Sequence, residues 1–468
     1  MNSGFSSLDW GVFVAYFFVL ALSSYLFSRE KITSSREYFT SSNQMPLLAV
    51  AISILATSQS AATFLGVPEF SYAHNFTFIG FYFSALLAVI FIARVFVPKF
   101  YEYKVITVYE LLEHRYGESA KKQAGIMFLI GRIMASGARL YIGALAISMI
   151  LFLDVSFVHM FISILILVFG ALIYTYFGGV KSVILSDVIQ AITYVGAGVV
   201  VVFYLYFSLG DVNILEILNQ NNKLTFLDTS LNGKFSLIGL LSGWLLLNIA
   251  AFGLDQDMTQ RVLSCKNKED ASRSLILSIL MTIPIVLLFL TIGALLFVHY
   301  QNATVTQTFS GEKITIFMYY ILNELPQGVR ALVTVGAIAA ALSSTNSVLG
   351  AMASVAIEDI YKPYKLKCEP RTSEEFFVTQ SKNAVLLFAI TLVLMATLSY
   401  FWQKYSNLSL ISFALGIMAF AYTGLLGVFF SALFTSRGTR TTVPFALAGG
   451  FLTVLALQPY TFGLSIGF

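Results

Sequence analysis

Residues 182–208 read SVILSDVIQAITYVGAGVVVVFYLYFS, and this stretch decides what kind of fold the chain can adopt. Asp187 is its single charged residue, and as a helix the stretch is long enough to cross about 30 Å of hydrocarbon. Strands of a membrane barrel alternate apolar and polar residues, which the run VVVVFYLYF at 199–207 does not do. Residues 182–208 are therefore predicted to form a transmembrane helix.

The same pattern recurs along the whole chain of 468 residues, which is 57% hydrophobic and 11% charged, with a mean hydropathy of +0.81. Soluble domains carry about 25% charged residues, so a cytosolic enzyme, a disordered protein and a disulfide scaffold are excluded. The excess of basic residues that gives the net charge of +4 is expected to lie in cytoplasmic loops. It therefore does not indicate a nucleic-acid partner. The predicted spans are 8–28, 46–66, 76–98, 123–153, 155–177, 182–208, 235–253, 274–300, 329–358, 380–402, 407–434 and 441–463.

The distribution of basic residues predicts the orientation of these spans. Arg29, Lys31 and Arg36 follow the first span, whereas Asp9 precedes it. Because basic residues collect on the cytoplasmic side, the N-terminus is predicted to lie outside. If successive loops alternate between inside and outside from there, most Lys and Arg residues, Arg261 among them, lie in inside loops.

The second span is interrupted by polar residues in ILATSQSAATFLGVPEF, residues 54–70. Ser58, Ser60 and Thr63 crowd together there, and Pro68 follows. This pattern favours a helix unwound in its middle, which frees backbone carbonyls to face a cavity. Small hydroxyl residues also line packed interfaces between membrane helices, and this alternative remains open.

The ninth span carries a second set of neutral oxygens, at Ser343, Ser344, Asn346 and Ser347. Ser343 and Ser347 share one helix face. Several oxygens on one face could hold a hard monovalent cation, and helix packing is again the alternative.

A few charges fall at bilayer depth, where ionisable residues are functional candidates. Asp187 lies about 9 Å into its span, Arg132 about 13 Å and Arg139 about 24 Å into theirs. Asp187 could instead face water at the interface, and Arg139 could snorkel. Arg132 suggests an anionic partner, which could be Asp187, another acid of the bundle or a solute carboxylate.

The run NIAAFGLDQDMTQR at 248–261 places Asp255 and Asp257 after the seventh span, as a second discontinuous helix or as an ordinary loop entrance. The histidines show no metal-site spacing, and no nucleophile–base pair lies at bilayer depth. An enzyme is therefore not predicted, and neither is a channel, because no span carries a continuous polar stripe.

Five motifs together resemble the sodium/solute symporter family, nearest to its sialic acid, monocarboxylate and proline branches. IYTYFGGVKSVILSDVIQ at 173–190 is the most specific of them. The others are EYFTSSNQMP at 37–46, ILATSQSAATFLGVPEFSY at 54–72, DQDMTQR at 255–261 and AAALSSTNSVL at 339–349. They stand in the family's order and at its spacing.

This resemblance implies an all-α integral membrane fold with two inverted five-helix repeats, whose first helices are broken. Residues 1–468 would form one transporter domain of about twelve helices. The repeats would be 46–208 and 235–434, with 8–28 as an extra N-terminal helix and 441–463 as a C-terminal helix. The implied location is the plasma membrane, as a multi-pass protein of the bacterial inner membrane.

The implied activity is sodium-coupled secondary active import of a small organic solute. Na⁺, the solute and the lipid bilayer are the implied partners, and neither nucleic acid nor a protein partner is indicated. The implied main sodium ligands are the carbonyls of Ala56, Gln59 and Ala340 and the hydroxyls of Ser343 and Ser344. Some family members have a second sodium site, which would use Asp187, Asn346 and Ser347 here, with Asn346 standing where a serine is expected.

The solute site implied by sialic acid members would use Ser58, Ser60, Thr63 and Phe78, together with an arginine. The expected arginine position is Ala135 in this chain, and Arg132 and Arg139 lie one turn before and after it. Tyr82 replaces a glutamine of those members, and GARLY at 137–141 resembles the proline branch. These features favour a carboxylate-bearing solute, with sialic acid leading and proline or a monocarboxylate next. A sodium/sugar symporter, or a sodium-dependent sensor that does not turn over, is the alternative.

Overall fold

The computed structural model describes residues 6–27, 32–231, 233–301, 305, 307–309, 312–406, 416–417, 419–422 and 424–457. Nearly all regular structure in these residues is helical. The helices are α1 Ser7–Phe27, α2 Ser35–Thr40, α3 Leu47–Ser58, α4 Ala61–Ala73, α5 Ile79–Glu102, α6 Glu110–Tyr116, α7 Glu118–Ile147, α8 Phe157–Ser208, α9 Ile214–Gln220, α10 Leu237–Leu241, α11 Gly243–Gly253, α12 Gln256–Val262, α13 Lys268–His299, α14 Ile316–Asn323, α15 Val329–Ser354, α16 Lys362–Cys368, α17 Glu374–Ser406, α18 Leu425–Phe434 and α19 Thr442–Leu457.

Shorter elements extend or connect these helices. Wider π-helical turns continue α7 over Ser148–Phe152 and α15 over Val355–Tyr361. Single 3-10 turns cover Ser41–Asn43 and Ala419–Tyr422. A two-residue antiparallel ribbon pairs β1, Thr308–Phe309, with β2, Glu312–Lys313.

Seven helices in the described ranges are long and apolar enough to cross a membrane, and the number rises to nine if each of two sharply bent pairs counts as one span. This confirms a multi-pass integral membrane protein. Of the predicted span 407–434, residues 407–415, 418 and 423 lie outside the described residues, as do residues 458–463 of the last predicted span.

The segment α8 contains two helices, which correspond to the predicted spans 155–177 and 182–208 and meet at Gly179 with no loop between them. Its 52 residues would extend about 78 Å if straight, more than twice the hydrocarbon thickness. Its first half passes α15 with Thr175 near Asn346, and its second half returns with Asp187 near Ser343. The second half of α8 therefore runs back along α15, in the direction opposite to the first half.

Gly179 makes this reversal, with φ 56° and ψ −153°. A Cβ atom on Gly179 would lie 2.5 Å from the carbonyl oxygen of Tyr38 in α2. Only glycine combines this positive φ with so close an approach of two backbones.

Two spans are broken within the bundle. Between α3 and α4 the chain bends by 65°, and Gln59 and Ser60 are extended there. The break thus precedes Pro68, which lies inside α4. Between α11 and α12 the bend is 58°, and Asp255 is extended. Of the two interpretations of the region around Asp255, the discontinuous helix is the one observed.

The centre of the bundle is α15, against which α3, α7, α8 and α17 pack. Almost every side chain of α15 is buried, including the polar Ser343, Asn346 and Ser347. The broken end of α3 therefore lies against the most deeply buried helix, and this juxtaposition positions the site.

Candidate sodium and solute site

The break between α3 and α4 is held by the side chain of Gln59. Gln59 Nε2 donates to the Tyr82 hydroxyl of α5 at 3.3 Å, and the Tyr194 hydroxyl of α8 donates to Gln59 Oε1 at 3.4 Å. Among the described residues, no cap, turn or loop hydrogen bond ends on the carbonyl of Ala56 or of Gln59. The unwound segment therefore leaves backbone oxygens available to a cation.

The hydroxyl face of α15 lies beside this break. Thr57 Oγ1 and Ser347 Oγ are 3.0 Å apart, which joins the last turn of α3 to α15. Ser344 Oγ donates to the carbonyls of Ala340 and Ala341, at 3.3 and 3.0 Å. Oxygens that the resemblance assigns to the main sodium site thus lie on two adjacent elements, one unwound and one helical.

Asp187 is fully buried and bonded on both carboxylate oxygens. Ser343 Oγ donates to Oδ1 at 2.8 Å, and Ser53 Oγ donates to Oδ2 at 2.5 Å. The Arg261 guanidinium of α12 contacts Oδ2 through Nη2 at 3.3 Å. The same arginine donates to Ser53 Oγ through Nε at 2.8 Å and to Ser347 Oγ through Nη2.

Arg132 is 2% exposed, and its partners are the two acids at and just after the second break. Its Nη1 contacts Asp255 Oδ2 at 2.7 Å, and its Nη2 contacts Asp257 Oδ2. The Tyr422 hydroxyl also donates to Asp255 Oδ2, at 2.9 Å. The sequence left three possible partners for Arg132, namely Asp187, another acid of the bundle and a solute carboxylate. In this conformation Arg132 pairs with acids of the bundle other than Asp187.

Arg139 differs from Arg132 because it is only half-buried. Ser58 and Thr63, at the break, are half-buried as well. Arg139 is therefore more exposed than Arg132.

The remaining candidate solute residues lie at or just beyond the break. Ser60 Oγ and Thr63 Oγ1 are 3.5 Å apart, and Ser58 Oγ donates to its own helix at Leu55 O. Phe78 belongs to an aromatic cluster in which its ring centroid lies 5.7 Å from that of Phe70 and 5.1 Å from that of Phe235. Tyr82 joins this cluster at 6.0 Å from Phe78.

Several site residues were missed by the sequence analysis. Placing Arg261 in an inside loop was wrong, because it lies in α12, is 1% exposed and pairs with Asp187. The dense charge of DQDMTQR directly after an apolar span was the signal that could have shown this. Ser53, Tyr194 and Tyr422 carried no comparable signal, because single hydroxyl residues are common in membrane helices.

A bundle with two broken helices that bring free carbonyls, hydroxyls and ion pairs to its centre defines a class of membrane transporter. Over residues 38–452 the chain matches the model of the sodium:solute symporter family. The chain belongs to this family, as its motifs predicted, and it is a sodium-coupled symporter rather than an enzyme.

Its relatives agree with this assignment. The sodium/sialic acid symporter of Proteus mirabilis is 26% identical, over 99% of this chain and 91% of its own length. The corresponding symporter of Aliivibrio fischeri is also 26% identical, over 98% and 89%. A solved Na⁺-coupled sialic acid symporter in a substrate-bound outward-open state superposes with a TM-score of 0.81 at 24% identity, over 98% of this chain and 93% of that one. The solved structure supports the fold.

Proposed function

We propose that this symporter imports a small carboxylate-bearing solute, with sialic acid as the leading candidate, in a bacterial inner membrane. Its layout would be about twelve helices in two inverted five-helix repeats, 46–208 and 235–434, with the N-terminus outside. The two bent spans support this layout, because each stands at the start of one proposed repeat.

The main sodium ion would be bound where the end of α3 meets α15. Its ligands would be the carbonyls of Ala56, Gln59 and Ala340 and the hydroxyls of Ser343 and Ser344. The observation that carries this proposal is the 3.0 Å contact between Thr57 and Ser347, which holds the unwound end of α3 against the hydroxyl face of α15. Neutral oxygens suit a hard cation that must also be released.

The solute would be bound on the other side of the same break. Ser58, Ser60 and Thr63 offer hydroxyls, Phe78 and Tyr82 offer aromatic surface, and Arg139 offers a guanidinium for a carboxylate. We favour Arg139 over Arg132, because Arg139 is half-buried, whereas Arg132 is 2% exposed and contacts two buried carboxylates. The sialic acid symporters among the relatives support this choice of solute.

Coupling follows from the position of the break between the two ligands. A sodium ion that fixes the carbonyls of Ala56 and Gln59 also orders the adjacent Ser58 and Ser60. Each ligand then raises the affinity for the other by the same factor. Entry of each net positive charge is further driven by about 2.3 kcal/mol per 100 mV of membrane potential.

The test is solute accumulation in proteoliposomes with a panel of acids, amino acids and sugars, in Na⁺ and in K⁺. We expect Na⁺-dependent accumulation of a carboxylated solute. Replacing both Ser343→Ala and Ser344→Ala should abolish it in protein that still folds. Ser381→Ala is the matched control, because this buried hydroxyl donates to its own helix at Phe377 O.

Each remaining result contradicts a specific part of the proposal. Wild-type uptake by the double serine variant refutes the sodium site. A response to neutral sugars alone refutes the role of Arg139 and favours a sugar symporter. Sodium-dependent binding without accumulation indicates a sensor.

A further inference from the structure

We propose that a cavity at the proposed outer end of α4 binds an acidic sugar, that is a polyhydroxylated carboxylate, before this solute reaches the break between α3 and α4. The inference rests on the proposed function, because it concerns how the same solute approaches its site. The cavity has a volume of about 660 Å³ and lies between the end of α4 and the loop that leads into α10. Its walls include Phe70, Asn75, Asp228, Lys234 and Phe235.

Backbone hydrogen bonds and an aromatic contact join the two walls of this cavity. Phe76 N donates to the carbonyl of Thr225 at 3.1 Å, and the ring centroids of Phe76 and Phe226 lie 5.1 Å apart. The loop is also closed on itself, because Leu237 N donates to the carbonyl of Asp228 at 2.8 Å. The walls are therefore held in place without a ligand, and this reduces the ordering that binding requires.

The charged groups of the cavity suit a ligand that carries both a carboxylate and hydroxyl groups. Lys234 is exposed and forms no ion pair with an acid among the described residues, so its ammonium group can bind a carboxylate. Asp228 would repel a carboxylate but can accept hydrogen bonds from hydroxyl groups, as its Oδ1 does from Ser230 N at 2.9 Å. Thr225 and Ser230 add hydroxyl groups to the same wall.

His74 also lines the cavity, as a neutral hydrogen-bonding group. Desolvation and the charges of Lys223 and Lys234 lower the pKa of His74, so its imidazole is neutral at pH 7 and offers one donor and one acceptor. Lys223 is engaged elsewhere, because its Nζ donates to the carbonyl of Tyr72 at 2.6 Å. Lys234 is therefore the group that provides positive charge for a carboxylate, and His74 suits a hydroxyl group.

The combination of charges and size favours an acidic sugar over the smaller candidate solutes. Small-molecule sites commonly measure about 300–1,000 Å³, and proline or a monocarboxylate would fill little of this cavity. A neutral sugar would leave Lys234 without a negative partner. An acidic sugar supplies a carboxylate for Lys234 and hydroxyl groups for Asp228.

A layer of aromatic rings separates this cavity from the proposed solute site. Phe70 and Phe235 line the cavity, and their ring centroids lie 5.7 and 5.1 Å from that of Phe78. Tyr82 contacts Phe78 and accepts from Gln59 at the break. A solute that moves from the cavity to the break would therefore pass these rings.

The test is binding of sialic acid to the purified protein in K⁺ without Na⁺, measured by isothermal titration calorimetry. The cavity contains none of the proposed sodium ligands, so we expect binding there without Na⁺. Lys234→Gln should weaken this binding about tenfold or more, because it removes a hydrogen bond between charged groups. It should also abolish the preference for sialic acid over its uncharged methyl ester. Lys268→Gln is the matched control, because Lys268 is exposed at the start of α13 and does not line the cavity.

Arg139→Gln distinguishes this cavity from the proposed solute site. Binding in K⁺ should change by less than about twofold in this variant, because Arg139 does not line the cavity. Absence of binding in K⁺ overturns the inference, and so does binding that depends on Arg139 instead of Lys234. Equally tight binding of proline, lactate or a neutral sugar overturns the assignment to an acidic sugar.

Failure of this inference and failure of the proposed function give different results. Na⁺-dependent uptake by a protein that shows no Lys234-dependent binding in K⁺ contradicts the outer site alone. Lys234-dependent binding in K⁺ without Na⁺-driven uptake of any solute supports the outer site and refutes the proposed function.

Discussion

Removing the positive charge of Arg132 should destabilise the protein by much more than removing the negative charge of Asp255. Arg132→Gln leaves two buried carboxylates, Asp255 and Asp257, without their common partner. Asp255→Asn removes one charge but keeps an oxygen that can accept from Arg132 and from Tyr422. The pair of variants therefore separates loss of a counter-ion from loss of one charge.

The contact distances give the scale of each effect. At the 2.7 Å between Arg132 Nη1 and Asp255 Oδ2, the gross Coulomb attraction is about 6 kcal/mol with an effective dielectric constant of 20. Desolvation offsets much of it, and removing one partner of a buried pair costs about 3–5 kcal/mol. We expect about that loss for Arg132→Gln and about 1.5–3 kcal/mol for Asp255→Asn, the range for hydrogen bonds to charged groups.

The assay is unfolding of the purified transporter in detergent for the wild type, both single variants and the double variant. Because both residues belong to one ion-pair network, the double variant should lose less stability than the sum of the single losses. Additive losses would refute the pairing. A variant Arg132→Gln that unfolds like the wild type but no longer binds solute would identify Arg132 as a solute ligand and refute the structural role argued here.

Three further variants test separate features of the structure. Gly179→Ala should sharply reduce the yield of folded protein, because its Cβ would meet Tyr38 O at 2.5 Å. The control is Gly196→Ala in the second half of α8, which should express normally because its Cβ would meet no atom within 4 Å. Equal yields of the two variants would contradict the reversal at Gly179. Gln59→Leu should lower uptake about tenfold, since it removes both hydrogen bonds that hold the break, and normal sodium-dependent uptake would refute that role. Asp359→Asn should leave thermal stability equal or higher, because Asp359 Oδ2 is buried with no hydrogen-bond partner among the described residues and the Thr107 bond can persist. A large loss of stability would indicate a cation bound there.

Where the helices are interrupted was largely predictable from the sequence. Residues 54–70 showed the first break because adjacent hydroxyl and amide side chains offer hydrogen bonds that compete with the helix backbone. The break lies at Gln59 and Ser60 and not at Pro68, which lies inside α4. The break beside Asp255 stayed ambiguous because an acid after an apolar run also suits a loop.

The pairing of charges was not predictable in the same way. Asp187 pairs with Arg261, 74 residues away, and Arg132 pairs with Asp255, 123 residues away. Sequence distance carries no information about such contacts, which depend on how α7, α8 and α12 pack around α15. Asp187 and Arg132 could be identified as charges at bilayer depth, but their partners could not, and Arg261 was expected in a loop.

The sequence by itself determined that the chain spans a membrane many times, that it resembles sodium/solute symporters and where polar residues concentrate within or beside the spans. Hydropathy and helix interruption are local properties, because each depends on residues within one or two helical turns. Only the tertiary structure decided that α8 reverses at Gly179, that two acids engage Arg132 and that a guanidinium lies against Asp187. These features depend on packing between distant helices, and charges buried in a low-dielectric bundle have to find their partners there.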